Sequence, residues 1–327
     1  MGAGEESASL AATGWPARLH VITGKGGTGK TTVAAALALA LAAGGRRTLL
    51  VEVEGRQAIA QLFSCPPLPY EERPIATAPG DGEVRALAVD AEEALLEYLD
   101  MFYRLGAAGR ALRRFGAIDF ATTIAPGLRD VLLTGKVKEA TTRTVEHRRF
   151  YDAVVLDAPP TGRIGRFLNV TAETARLAKV GPIKTQSEGV AALLRSPMTA
   201  VHVVTLLEEM PVQETIDAIA DLNSLGIPVG RVIVNAARAS LPGGRPTLAE
   251  LRRGLAAAGL STDRATVAGL LTEAEGQLTR QALEESLRTD LTELGLPMVE
   301  LPLLPEGVDR AGLNLLAEKL AGSHLSA

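Results

Sequence analysis

One short run, Gly24-Lys25-Gly26-Gly27-Thr28-Gly29-Lys30-Thr31-Thr32, constrains this chain more than anything else in it. It fits the spacing GxxxxGK(S/T), with Gly24, Gly29, Lys30 and Thr31 in the defining places. A phosphate chain needs several backbone N–H groups aimed into one concavity, with side chains kept out; the glycines at 24, 26, 27 and 29 permit both. Context supports the match, because an apolar run (Arg18–Thr23) precedes the loop and an Ala/Leu-rich stretch follows from Lys30. The stretch predicts a helix closed by Gly44-Gly45, buried on most sides, with the positive end of its dipole under the phosphates. Lys30 is then placed to reach the β and γ phosphates, and the Thr31 hydroxyl to ligate Mg²⁺.

Elsewhere apolar runs suited to buried strands alternate with helical patterns, which predicts a doubly wound, mostly parallel α/β sheet covered on both faces. The strand candidates are Arg18–Thr23, Thr48–Val53, Val84–Val89, Ala153–Asp157, Ala200–Leu206, Val229–Val234 and Met298–Leu303. Two stretches, about 91–149 and 247–293, read as helical insertions, the first opened by the cap Asp90. Residues 1–16 read as a flexible tail, and 17–327 as a single nucleotide-binding domain. Leu95–Leu105 has apolar residues at helical spacing and reads as core, as do His20 and His202 on apolar strands. The basic clusters Arg110–Arg114 and Arg143–Arg149 read as solvated faces, and Ala311–Leu320 as a packed terminal helix.

Composition removes several classes. With one cysteine (Cys65) in 327 residues, the chain can build neither an internal disulfide framework nor a multi-thiolate zinc or iron–sulfur site. A net charge of -4 gives no footprint for nucleic acid. No stretch approaches the ~20 apolar residues that cross a bilayer. The start lacks a secretory pattern, and Glu6 stands where myristoylation requires Ser or Thr. A cytoplasmic, reducing location is expected.

Lys25, directly after Gly24, makes the loop resemble the deviant phosphate loop of SIMIBI-class ATPases. Asp157-Ala158-Pro159-Pro160-Thr161-Gly162-Arg163 resembles the D-x-A-P-T-G-H switch of arsenical-pump and tail-anchored-protein targeting ATPases, with Arg163 in place of histidine. Further matches are Asp90, Ala125-Pro126-Gly127, Gly181-Pro182, Glu214-Thr215, Asn235 and the loop Leu301–Gly307. The resemblance implies ATP and Mg²⁺ as cofactors, with the metal on Thr31 and Asp157. It implies a dimer in which Lys25 crosses to the partner's nucleotide, Asn235 reads adenine, and the loop carrying Pro305 lies over the base. It also implies a protein or membrane-protein client, handled in the cytoplasm or at the membrane periphery.

The chain departs from that family in two ways. Glu54 stands at the place of the D-P-A-H aspartate that orients the attacking water, one methylene longer. Displacement on that scale, about an ångström, can cost on the order of a hundredfold in rate. Either Glu54 still positions the water or the chain binds ATP and hydrolyses it poorly; Glu54→Asp tests this, and turnover that does not rise shows that the methylene is not the limiting defect. The zinc-sharing cysteine pair and the arsenite-sensing thiols are missing too, so neither a zinc nor an arsenite site is expected. The leading reading is a dimeric ATPase switch. The alternatives are a weak regulatory subunit paired with an active paralogue, as a heterodimer rather than a homodimer, and a partitioning-type ATPase.

Overall fold

The computed structural model describes residues 14–103, 126–169, 182–240 and 244–322. Ala125, Gly181, Arg110–Arg114 and the stretch 1–13, which carry sequence expectations, lie outside them. The frame is an eight-stranded sheet of order β10-β9-β8-β1-β7-β2-β4-β3. The strands are β1 (Leu19–Gly24), β2 (Arg47–Glu52), β3 (Arg73–Ala78), β4 (Gly82–Ala88), β7 (Ala153–Asp157), β8 (Thr199–Thr205), β9 (Val229–Ala237) and β10 (Met298–Pro302). Seven run parallel; β3 alone pairs antiparallel, along the free side of β4. A two-residue ribbon, β5 (Thr144–Val145) with β6 (Arg148–Arg149), stands apart.

The helices follow in chain order: α1 (Lys30–Ala42), α2 (Ala58–Leu62), α3 (Ala91–Tyr103), α4 (Pro126–Thr142), α5 (Thr161–Leu168), α6 (Pro182–Leu194), α7 (Glu209–Ser224), α8 (Leu248–Ala257), α9 (Arg264–Thr292) and α10 (Arg310–Gly322). Alternation along each central strand splits its side chains between two cores. Leu19, Val21, Leu49, Val51, Val154 and Leu156 join one, under α3, α4, α6 and α7. Ile22, Leu50, Ala153 and Val155 join the other, under α1 and α10. Every residue of α1 from Val33 to Ala42 is buried, which only a helix of small and aliphatic side chains tolerates. It ends at Gly44 and Gly45, both in the left-handed conformation. Asp90 caps α3 as expected, its carboxylate accepting from the amides of Glu92 and Glu93.

Three expectations need correction. β3 is absent from the strand candidates because it is a largely exposed edge strand with Arg73 and Pro74 and no apolar alternation. The expected tail reaches too far: Trp15 is buried, and its indole N–H donates to the Leu320 carbonyl at 3.0 Å. Arg143 is no solvated residue, since its guanidinium donates to both Glu72 and Glu139 and packs over Phe150.

Trp15 closes over His20 and His202, whose rings stack with Nδ1 and Nε2 3.0 Å apart. The Arg231 amide donates to His202 Nδ1 at 3.1 Å, so His202 presents its Nε2 proton to His20. Burial drives His20 down from 6.5 to about 4 and His202 well down as well. The unfolded chain therefore binds protons first, so stability is complete above pH 6.5 and falls as pH drops from there towards 4. Through His20 alone the loss approaches about 3 kcal/mol. Urea unfolding at stepped pH should show it, and a His20→Gln/His202→Gln double variant should have a shallower slope across that window.

Candidate functional site

The parallel strands all point their C-terminal ends at one side of the sheet, and the chain order reverses around β1, where a crevice forms. β1 delivers Gly24 into that crevice, β2 delivers Glu52 and Glu54, β7 delivers Asp157 and β9 delivers Asn235. The loop from Gly24 to Gly29 is tightly wound: the Thr28 amide and hydroxyl both donate to the Lys25 carbonyl. Gly29 caps α1 with φ +87°, and a Cβ there would collide with the Asn235 amide nitrogen. Gly26 and Gly27 face open space, with nothing within 4 Å of a Cβ built on them. The first amides of α1 have no intrahelical acceptor, and together these features make a polar concavity suited to an anion.

Lys30 is half-buried at the start of α1. Burial lowers its pKa, while Asp157 and Glu54 pull the other way, so both carboxylates bear on its ammonium. The Thr31 hydroxyl donates to Asp157 Oδ2 at 2.6 Å. Burial pushes Asp157 up from 3.8 to about 6, opposed by that hydrogen bond and by Lys30. One carboxylate and one hydroxyl, both hard oxygen donors beside a phosphate-sized cradle, fit Mg²⁺, which keeps waters and phosphate oxygens for its remaining positions. Consistent with so sparse a set, no group of three or more His, Cys, Asp or Glu gathers among the described residues.

Around this centre the loops are tied together by residues that sequence reasoning did not place in the site. Thr23 Oγ1 donates to the Pro159 carbonyl at 2.7 Å, fastening the Asp157–Arg163 loop to β1. Glu214, on α7, accepts from Lys25 Nζ at 2.6 Å and from Thr161 Oγ1 at 3.1 Å. The Lys25 hydrogen bond holds the Glu214 carboxyl below its usual range. Lys25 is thus engaged within its own chain. Buried Glu52 accepts from the amides of Gln57 (2.5 Å) and Ile59 (3.4 Å), fixing the loop that carries Glu54. Glu54 lies between two guanidinium groups, Arg163 on Oε1 and Arg56 on Oε2, each at 3.6 Å. These three residues border a cavity of about 230 Å³ together with Pro159. The contacts of Thr23, Glu214 and Arg163 could not be read from any local pattern, because each joins segments far apart in sequence.

Asn235 is expected from the sequence to end its strand, but β9 continues to Ala237; its amide donates to the Thr28 carbonyl at 2.9 Å and props the loop. The next residue, Ala236, still within β9, has φ +52°, a conformation uncommon outside glycine, where the register with β10 shifts. Pro305 sits in the exposed turn beyond β10, at the same end of the sheet as Asn235. Gly24, Lys25, Gly26, Gly27, Thr28, Gly29, Lys30, Thr31, Thr32, Glu54 and Asp157 converge on the crevice; Asn235 borders it and Pro305 lies further out.

The family model described as anion-transporting ATPase matches residues 17–196. The chain is 54% identical over 330 aligned positions to ATPase BagA of Mycobacterium tuberculosis, covering 96% of this chain and 97% of that protein. It is 26% identical over 322 positions to the arsenical pump-driving ATPase of Acidiphilium multivorum, covering 89% of this chain and 52% of that protein. No helix among the described residues is long and apolar enough to cross a membrane.

The glycines provide a direct check of the cradle. Gly29→Ala combines a left-handed φ with a collision at Asn235 and should cost about 1–3 kcal/mol. Gly26→Ala should unfold at the parent's denaturant midpoint, since its Cβ meets nothing. Parallel denaturant titrations of the two variants decide this.

Proposed function

The chain belongs to the anion-transporting ATPase family, and from that premise we propose that it binds Mg-ATP on the Gly24–Thr32 loop and hydrolyses it. In this reading Lys30 neutralises charge on the β and γ phosphates, and Thr31 with Asp157 holds the magnesium. The metal, when bound, supplies further charge neutralisation at the phosphates. Glu54 orients the attacking water, and Asn235 offers the donor and acceptor that an adenine edge requires. The observation that carries this reading is the convergence of Lys30, Thr31, Asp157 and Glu54 on a single glycine cradle.

Coupling follows from the neighbours. Pro159 lies on the loop leading from Asp157 to α5 and Thr161 opens that helix; α5 packs on α4, which packs on α3 and α6. A change at the γ phosphate would therefore pass to the helical layer, where a protein or membrane client is the reading we favour. Dimerisation through Lys25 requires that lysine to leave Glu214 and reach a phosphate in a partner subunit. A homodimer satisfies this, and so does a heterodimer with a paralogue. A second reading, a slow regulatory subunit, draws on the two arginines that engage Glu54.

Two measurements test the proposal. Lys30→Ala should weaken binding of a fluorescent ATP analogue at least about tenfold and abolish phosphate release, because a charge-assisted contact is lost; normal binding by this variant would sink the site. Glu214→Gln should shift ATP-dependent dimerisation to lower nucleotide concentration in sedimentation runs, since Lys25 is no longer held at home.

A further inference from the structure

The two residues at which the site departs from its family's pattern, Glu54 and Arg163, are 109 positions apart in sequence yet meet, with Arg163 Nη1 3.6 Å from Glu54 Oε1. The contact joins the segments that leave adjacent strands, the loop after β2 and the first turn of α5, because β2 and β7 pair with Glu52 opposite Asp157. Glu54 follows two residues beyond that register and Arg163 six beyond it. The pair therefore joins the loop after β2 to the first turn of α5, which follows Asp157.

Stability is a poor reason for such a pair. The side chain of Arg163 is exposed and that of Glu54 partly so. An ion pair this open to water contributes about 0–1 kcal/mol. Orientation is a better reason. A glutamate has one more rotatable bond than an aspartate, so on a loop its carboxylate can wander. Arg163 faces one oxygen at 3.6 Å while Arg56 faces the other at 3.6 Å, which biases that freedom towards the arrangement between them. The base of Arg163 is itself fixed: its amide donates to the Pro160 carbonyl at 2.8 Å, and Thr23 ties down Pro159.

We propose that Arg163 is a positioning residue for hydrolysis, holding Glu54 where its longer side chain can orient the attacking water, so that Glu54 and Arg163 work as a matched unit. This rests on the reading of the crevice as an ATPase site and extends it. Shortening Glu54 draws its carboxylate away from Arg163 by about an ångström, beyond ion-pair reach, so Glu54→Asp slows turnover instead of speeding it.

The test uses the full chain, with steady-state phosphate release at saturating Mg-ATP alongside equilibrium binding of a fluorescent non-hydrolysable ATP analogue. Arg163→Ala should lower kcat about tenfold or more, with KM, analogue affinity and Tm little changed, and Arg163→Lys should recover part of the loss. Glu54→Asp should lose kcat comparably. The Glu54→Asp/Arg163→Ala double variant should be no slower than the worse single variant, as expected of two groups acting through one water. Wild-type kcat in Arg163→Ala, faster turnover in Glu54→Asp, or losses that multiply in the double variant each overturn the matched unit while leaving the ATPase reading intact. A wild-type chain that binds the analogue without releasing phosphate overturns it too and leaves only binding. A wild-type chain that binds no nucleotide brings down the ATPase reading itself.

Discussion

Burial of α1 is the constraint on which the rest of the structure depends. A helix enclosed along ten consecutive residues, between the sheet and α10, cannot shift or rotate without opening a core on every side. Its first turn is therefore a fixed platform. Gly29 bends the chain onto it through a left-handed conformation, and Asn235 braces the loop from β9, two strands away from β1. The hydroxyl of Thr31 is carried to Asp157 by the same immobility, since β7 packs against α1. A phosphate cradle built in this way is preorganised: the entropy of arranging its amides is lost during folding, before any ligand arrives.

The carboxylates around the platform divide into static and movable ones, and burial separates them. Glu52 is buried and spends its oxygens on backbone amides of its own loop; breaking it would orphan a buried charge. Glu54 and Glu214 are partly open to water, and their partners are the lysine and arginine side chains of Lys25, Arg56 and Arg163, only Arg56 being on the same segment as its carboxylate. Pairs of the second kind are weak enough to exchange partners. On the proposed reading, the rigid parts would define where phosphate and metal sit, whereas the exposed pairs define which segment is attached to which.

Legibility in the sequence followed the same division. The phosphate loop, the strand ending at Asp157 and the enclosed helix could be read because their physics is local: glycine conformations, alternation, and a run of small apolar residues. Edge strand β3 could not, because an exposed strand with Arg73 and Pro74 has no buried face to impose a pattern. Trp15 looked like part of a tail because its partners, His202, Arg231 and the Leu320 carbonyl, come from the far end of the chain. Glu54 was recognisable as a departure, and Arg163 as another. That they answer each other is information held only in the pairing of β2 with β7.

Glu214 shows how such an arrangement can sense nucleotide without any large intrinsic motion. It holds Lys25 and Thr161 at once, and these lie on the phosphate loop and on the switch helix respectively. Lys25 cannot serve Glu214 and a phosphate together, so binding that recruits the lysine leaves Thr161 with a carboxylate that has lost its counter-charge. By linkage the converse holds, and whatever pulls Thr161 and the switch away from Glu214 alters how readily Lys25 is released. The lysine–glutamate pair is about one-third exposed. Breaking it therefore costs only about 0–1 kcal/mol. A charge-assisted contact to phosphate exceeds that cost, which allows a modest binding energy to decide between two arrangements of the same loops.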